Sequence, residues 1–248
     1  MNSPFLRNRQ RLLARQAAGA APAATAATAP DPATAAGQEY AALKVLLDDN
    51  LRALSDIESH EARQPKKVEF AKAFAPWIDG VIAADEAVQD EILLTVMVWA
   101  LDYGDLAYCL VLGEFALRHG LDMPERYKRS VACFLREDIA QLALDDPDAV
   151  DHAMLVRIDQ LTGESDMPDP AKAKLDKALG RSWAAKAAAF DASDDNAPAG
   201  GAASFAQQGL EHFRRALKLD GKAGVKKDID RLERLLRDAR AAEADEKD

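Results

Sequence analysis

Residues 89–119 read QDEILLTVMVWALDYGDLAYCLVLGEFALRH, the most apolar stretch of the chain. Ile92, Leu93, Val96, Trp99 and Ala100 recur at three- and four-residue steps, with Leu94, Met97, Val98 and Leu101 on the other faces. A helix that is apolar all round is buried, in a protein or in a membrane. Ile92 to Leu101 is about half the length a membrane span requires, so a protein core is the reading. Gly104 can supply positive φ for a turn, and Asp105 has the side chain of an N-cap. Leu106, Cys109, Leu110, Gly113 and Leu117 then form the inward stripe of a second helix, with Gly113 open to the close approach of another backbone. The chain is organised on a buried helical hairpin.

Outside it the pattern stays helical. A helix from Tyr40 to about Glu61 carries Leu43, Leu46, Leu47, Leu51, Leu54 and Ile57, a narrow seam suited to intramolecular packing or to an oligomer contact. A helix starts near Pro65, and Pro76 ends or kinks it. Further helices are expected from near Tyr127, over Ala149–Thr162, Lys172–Phe190 and Ser204–Leu219, and from Val225 to Arg240, with loops at 163–170 and 191–203. Residues 104–122 and 209–220 end alike, an aromatic, then Ala-Leu, then Leu-Asp, in the manner of the second helix of a tetratricopeptide-like pair. The expected fold is all-α: stacked antiparallel helical hairpins, a small α-solenoid with tetratricopeptide-like character toward the C-terminus, and a disordered basic N-terminal arm. Three parts are expected: arm and Ala/Pro-rich linker at 1–37, a helical core at 38–162, and a C-terminal helical region with basic last helices at 163–248.

The chain carries a net charge of −10 over 248 residues, an average that can conceal a local basic patch. The two cysteines, Cys109 and Cys133, both sit in apolar helical patterns, as free thiols do in a reducing compartment. The N-terminus has no Leu-rich core after its arginines, so a secretory signal is not expected. Residues 1–16 hold Arg7, Arg9, Arg11 and Arg15 and no acid. They read as a phosphate-docking arm or as a solvated terminus. The second basic region is the last helical pair, where Lys226 joins Lys227, Arg231 and Arg234 as candidate DNA contacts; Lys227, Arg231 and Arg234, with Arg237 a turn on, track one face, while Val225, Ile229, Leu232 and Leu236 take another. It reads as a DNA- or partner-binding surface, or as an amphipathic helix neutralised by Asp228, Asp230, Glu233 and Asp238.

Motifs for ATP, dinucleotide or catalytic-serine chemistry are missing, as are zinc motifs. The four histidines are scattered. Acidic groups at 85–91, at Asp102 and Asp105, and at 145–151 suit caps and turns as well as the converging carboxylates of a two-metal nuclease. No cofactor is expected, and a divalent metal only if the chain itself cuts DNA.

The run QDEILLTVMVWALDYGDLAYCLVLGEFALRHGLDMPERYKR at 89–129 resembles the phage small terminase subunit family, the terminase endonuclease subunits of temperate cohesive-end tailed phages. TGESDMPDPAKAK at 162–174, AGVKKDIDRLE at 223–233, and the Ser3-Pro4 opening with its basic terminus extend the resemblance over most of residues 40–240. The resemblance implies a subunit that recognises packaging-site DNA in the cytoplasm of the host bacterium and recruits the large ATPase subunit. It also implies a homo-oligomer and no membrane. The resemblance would imply a long basic C-terminal tail, but this sequence ends EADEKD, so no such tail is expected and the weight of DNA contact shifts to the N-terminal arm. Two alternatives stay open: an endonuclease in its own right, and a helical protein-interaction scaffold without DNA binding.

Overall fold

A computed structural model describes residues 28–190 and 201–245. The arm with Arg7, Arg9, Arg11 and Arg15 lies outside the described residues. The described residues form nine α-helices: α1 (Ala35–Ser55), α2 (His60–Ala84), α3 (Glu91–Asp102), α4 (Leu106–His119), α5 (Val131–Asp145), α6 (His152–Thr162), α7 (Asp169–Ala188), α8 (Gly201–Leu219) and α9 (Lys226–Asp245). A 3-10 turn, Glu125–Tyr127, follows α4, and one isolated β-bridge joins Thr28 to Val88. None of these helices is long and apolar enough to cross a membrane. The fold is all-α, as the periodicity implies.

The hairpin at 89–119 is α3 and α4. Residues Ile92 to Ala100 of α3 are all buried. Asp102 closes α3, Gly104 takes φ +86° in the turn, and Asp105 caps α4 through the Tyr108 N–H at 3.0 Å. Gly113 differs from expectation in its neighbour. A Cβ there would meet the Leu135 side chain at 2.7 Å, not another backbone. The close backbone approach falls between α7 and α8, where a Cβ on Gly209 would stand 3.1 Å from the Gly180 carbonyl oxygen.

Element boundaries depart from the sequence reading where caps decide them. Helix α1 begins at Ala35 because the Thr34 hydroxyl accepts the Gly37 N–H at 3.0 Å. The last ten residues of the stretch read as linker, 28–37, therefore hold a bridge, a turn and a helix start. Helix α2 starts at His60, capped by Ser59, and runs through both Pro65 and Pro76. Pro76 deletes one backbone donor, but Ala71 and Phe74 before it and Ile78 after it are all buried, and this shared burial holds the helix together across the proline. Helix α5 begins at Val131 rather than near Tyr127, because Ser130 caps it after the 3-10 turn. Helix α9 continues to Asp245, past the end expected at Arg240.

Among the described residues two main hydrophobic cores result, beside a small cluster of Ala132, Cys133, Met167 and Ala171. The larger is built from α1 to α6 and the first half of α7, with Leu47, Phe74, Trp99, Phe115, Phe134, Leu175 and Leu179 buried in it. The smaller takes Ala184 and Ala187 from the end of α7, Leu210 and Phe213 from α8, then Val225, Leu232 and Leu236. Helix α7 thus belongs to both. A buried ionic network stitches the same junction. Arg136 of α5, 1% exposed, donates to the Thr162 hydroxyl at 3.1 Å and lies 2.8 Å from Asp159 and 3.9 Å from Asp176. Asp176 of α7, equally buried, also meets His212 at 3.0 Å and Arg215 at 3.2 Å, both from α8.

Candidate nucleic-acid interface

The acids of the apolar hairpin have structural partners. Asp90 caps α3, accepting the N–H groups of Ile92 at 2.8 Å and Leu93 at 3.0 Å. Its other oxygen accepts the Trp77 indole N–H at 2.7 Å. Burial pushes its carboxyl above the ordinary range, and these donors pull it back only in part. Glu91 lies between Lys44, at 2.6 Å, and Arg126. Burial alone would raise its pKa, but the two cations outweigh it and hold the carboxyl below the usual value. The Glu91 N–H donates to the Tyr40 hydroxyl at 3.1 Å, and Tyr40 packs on Trp77 with ring centroids 5.6 Å apart. Gln89 grips the Asp122 backbone twice, donating to its carbonyl at 2.7 Å and accepting its N–H at 2.9 Å. Asp102 pairs with Lys67 at 2.6 Å. Among the described residues no group of three or more His, Cys, Asp or Glu side chains is placed to hold a metal ion. Asp85 binds Arg118 at 2.7 Å, and Asp151 caps α6. Both cysteines are buried and free, and burial pushes the Cys109 thiol up to about 12.

The cations are distributed differently. Residues 171–190 and 201–240 carry fifteen lysines and arginines against seven aspartates and glutamates, in a chain whose net charge is −10. The positive charge is therefore local to the C-terminal hairpin and the helix beneath it. On α9, Val225, Leu232 and Leu236 are buried and Ile229 half-buried, all turned to α8. The opposite face exposes Lys227, Arg231 and Arg234, with Lys226 exposed at its flank and the acids Asp230 and Asp238 exposed among them. Neutralisation of that face is partial. Asp228 approaches Arg231 at 3.6 Å, and Glu233 is drawn off to Arg214 of α8 at 2.6 Å. Among the described residues Lys226, Lys227 and Arg234 have no ion-pair partner within 4.0 Å. Sequence reasoning missed Lys177 and Arg181 of α7. The signal for them was available: α7 carries Lys172, Lys174, Lys177, Arg181 and Lys186, while one of its two acids, Asp176, is buried.

Such a molecule is an all-helical, charge-segregated protein whose hairpin signature is spent on caps and clamps. The chain belongs to the phage small terminase subunit family, whose model matches residues 44–170, from within α1 to the first turn of α7. It is 37% identical over 201 residues to the "Terminase, endonuclease subunit" of Escherichia phage P2, an alignment covering 80% of this chain and 74% of that protein. No solved structure matches it. The family places the chain in phage DNA packaging.

Proposed function

We propose that this small terminase subunit recognises viral DNA at the packaging, cohesive-end site and recruits the large terminase subunit, which cuts and translocates. In this reading it works as a homo-oligomer in the host cytoplasm and divides into an arm and linker at 1–37, a helical core at 38–162 and a C-terminal region at 163–248. DNA contact is made by Arg7, Arg9, Arg11 and Arg15 of the arm and by Lys226, Lys227, Arg231 and Arg234 of α9. The observation that carries the reading is the cluster of exposed cations on α9, of which Lys226, Lys227 and Arg234 have no ion-pair partner among the described residues, in an otherwise acidic chain. Each phosphate neutralised releases counterions, so affinity must fall as salt rises.

The test is a gel-shift series on cohesive-end and random duplexes at several salt concentrations. Removal of residues 1–16 should weaken binding and flatten the slope of log affinity against log salt by about 3–4, the share of four phosphate contacts. The K226E/K227E variant should weaken binding independently. Unchanged binding in both variants would overturn the assignment.

A second reading, an endonuclease in its own right, is favoured by the name of the phage P2 relative. It requires the purified chain to nick DNA with a divalent metal and no partner. Cutting that occurs only when the large subunit is added would exclude it.

A further inference from the structure

The cationic surface does not end with α9. The Lys177 ammonium, on α7, reaches into the α8–α9 turn and donates to the Ala223 carbonyl at 2.8 Å. A Cβ on Gly224 would stand 3.8 Å from it, and Gly224 takes φ +73°, so the turn is wrapped closely around the lysine. The middle of α7 and the turn that leads into α9 are therefore adjacent. One helical turn beyond Lys177 stands Arg181, exposed and without a hydrogen-bond or ion-pair partner among the described residues. It is close enough that, after burial, its guanidinium is the next cause of the depressed Lys177 pKa. Lys222, in the turn, and Lys226 and Lys227, just after it, are exposed as well. Three carboxylates stand nearby: Asp220, Asp228 and the exposed Asp230, which follows Lys226 by one helical turn. Asp220 accepts the Lys222 N–H at 2.8 Å, and Asp228 faces Arg231 at 3.6 Å.

Five cations on three segments outnumber the three acids among them, so the array keeps a net positive charge. The array is spread along a surface rather than converged on a point. That suits a polymer of regularly spaced phosphates better than one small anion. Resting on the reading of α9 as a DNA face, we propose that the phosphate-binding surface turns the corner onto α7, where Arg181 contacts the duplex backbone and Lys177 is the post that holds the α8–α9 turn in place for Lys222, Lys226 and Lys227.

The experiment is fluorescence anisotropy with the full chain, on a cohesive-end duplex and a random duplex, over a salt series. R181Q should weaken both duplexes alike and make the salt slope shallower by about 0.9, the value of one lost phosphate contact. Its thermal midpoint should stay that of the parent, because Arg181 is exposed and unpaired. K177M should weaken binding, and K177R, still able to donate to the Ala223 carbonyl, should restore it. If R181Q binds as the parent does while K226A/K227A is weakened, the corner is wrong and the α9 reading stands. If K226A/K227A also binds as the parent does, both fall. A loss confined to the cohesive-end duplex would overturn backbone contact in favour of base reading, and equal affinities for K177M and K177R would remove the positioning role of Lys177.

Discussion

Asp90 is fully buried and serves two elements at once, as the cap of α3 and as the acceptor for the Trp77 indole of α2. D90A removes the cap and leaves a buried indole N–H without its partner. Those effects together should cost about 2–4 kcal/mol, read as a lowered urea midpoint. D90N retains a capping oxygen and should lose about half as much. A pH prediction comes from the same neighbourhood. Burial raises Tyr40 and Tyr108 from 10.0 to about 12, and Cys109 from 9.0 to about 12. A folded-state pKa above the unfolded value means that stability is intact below the unfolded pKa and is lost as pH climbs through the folded one. Helical circular dichroism should hold to about pH 9 and collapse toward pH 12, with tyrosinate absorbance rising in the same transition. Tyrosine ionisation that runs ahead of unfolding, near pH 10, would contradict the burial of both phenols. Much at this scale was readable in the chain: Asp105 as a cap, Asp102 as a helix end, and Gly104 and Gly120 at positive φ. The bonds of Gln89 to Asp122, Lys67 to Asp102 and Arg136 to Thr162 were not. Each joins residues 26 or more positions apart, and no local period encodes such a pairing.

At the level of elements, periodicity located every helix, and capping chemistry moved the ends. Pro76 was misleading because a proline penalty of about 3 kcal/mol is a local quantity, whereas burial of Phe74 and Ile78 on either side is a tertiary one. The basic surface of α9 was legible because its lysines and arginines fall at helical spacing. That of α7 was not, because its cations are scattered around the helix rather than set at the spacing of one face. The α7–α8 contact supplies the test of packing. A Cβ on Gly180 would lie 2.5 Å from the Phe213 ring, which is itself fully buried. G180A must therefore displace the ring or part the helices, at about 1–3 kcal/mol, despite the better helix propensity of alanine. Thermal melts check it. A G180A variant as stable as the parent would mean that α7 and α8 pack less closely than described here.

In the whole molecule, opposite charges are kept apart and two cores are joined. If the C-terminal hairpin contacts DNA as proposed, the overall negative charge opposes that contact at long range, so binding should depend on orientation as well as on salt. Helix α7 joins the cores, giving Leu175 and Leu179 to one and Ala184 and Ala187 to the other. That arrangement constrains inheritance. A recombination crossover between related phages in the loop before α7 would fit a foreign Leu175 and Leu179 into the resident core. A crossover after α7 would set a foreign Phe213 against the resident Gly180, and in either case the Arg136–Asp176–Arg215 network would be assembled from two parents. Chimeras with the phage P2 relative, 37% identical, should therefore melt below both parents wherever the joint is cut at either end of α7. The core and the hairpin that carries the cations should therefore be inherited together, coupled through a single shared helix.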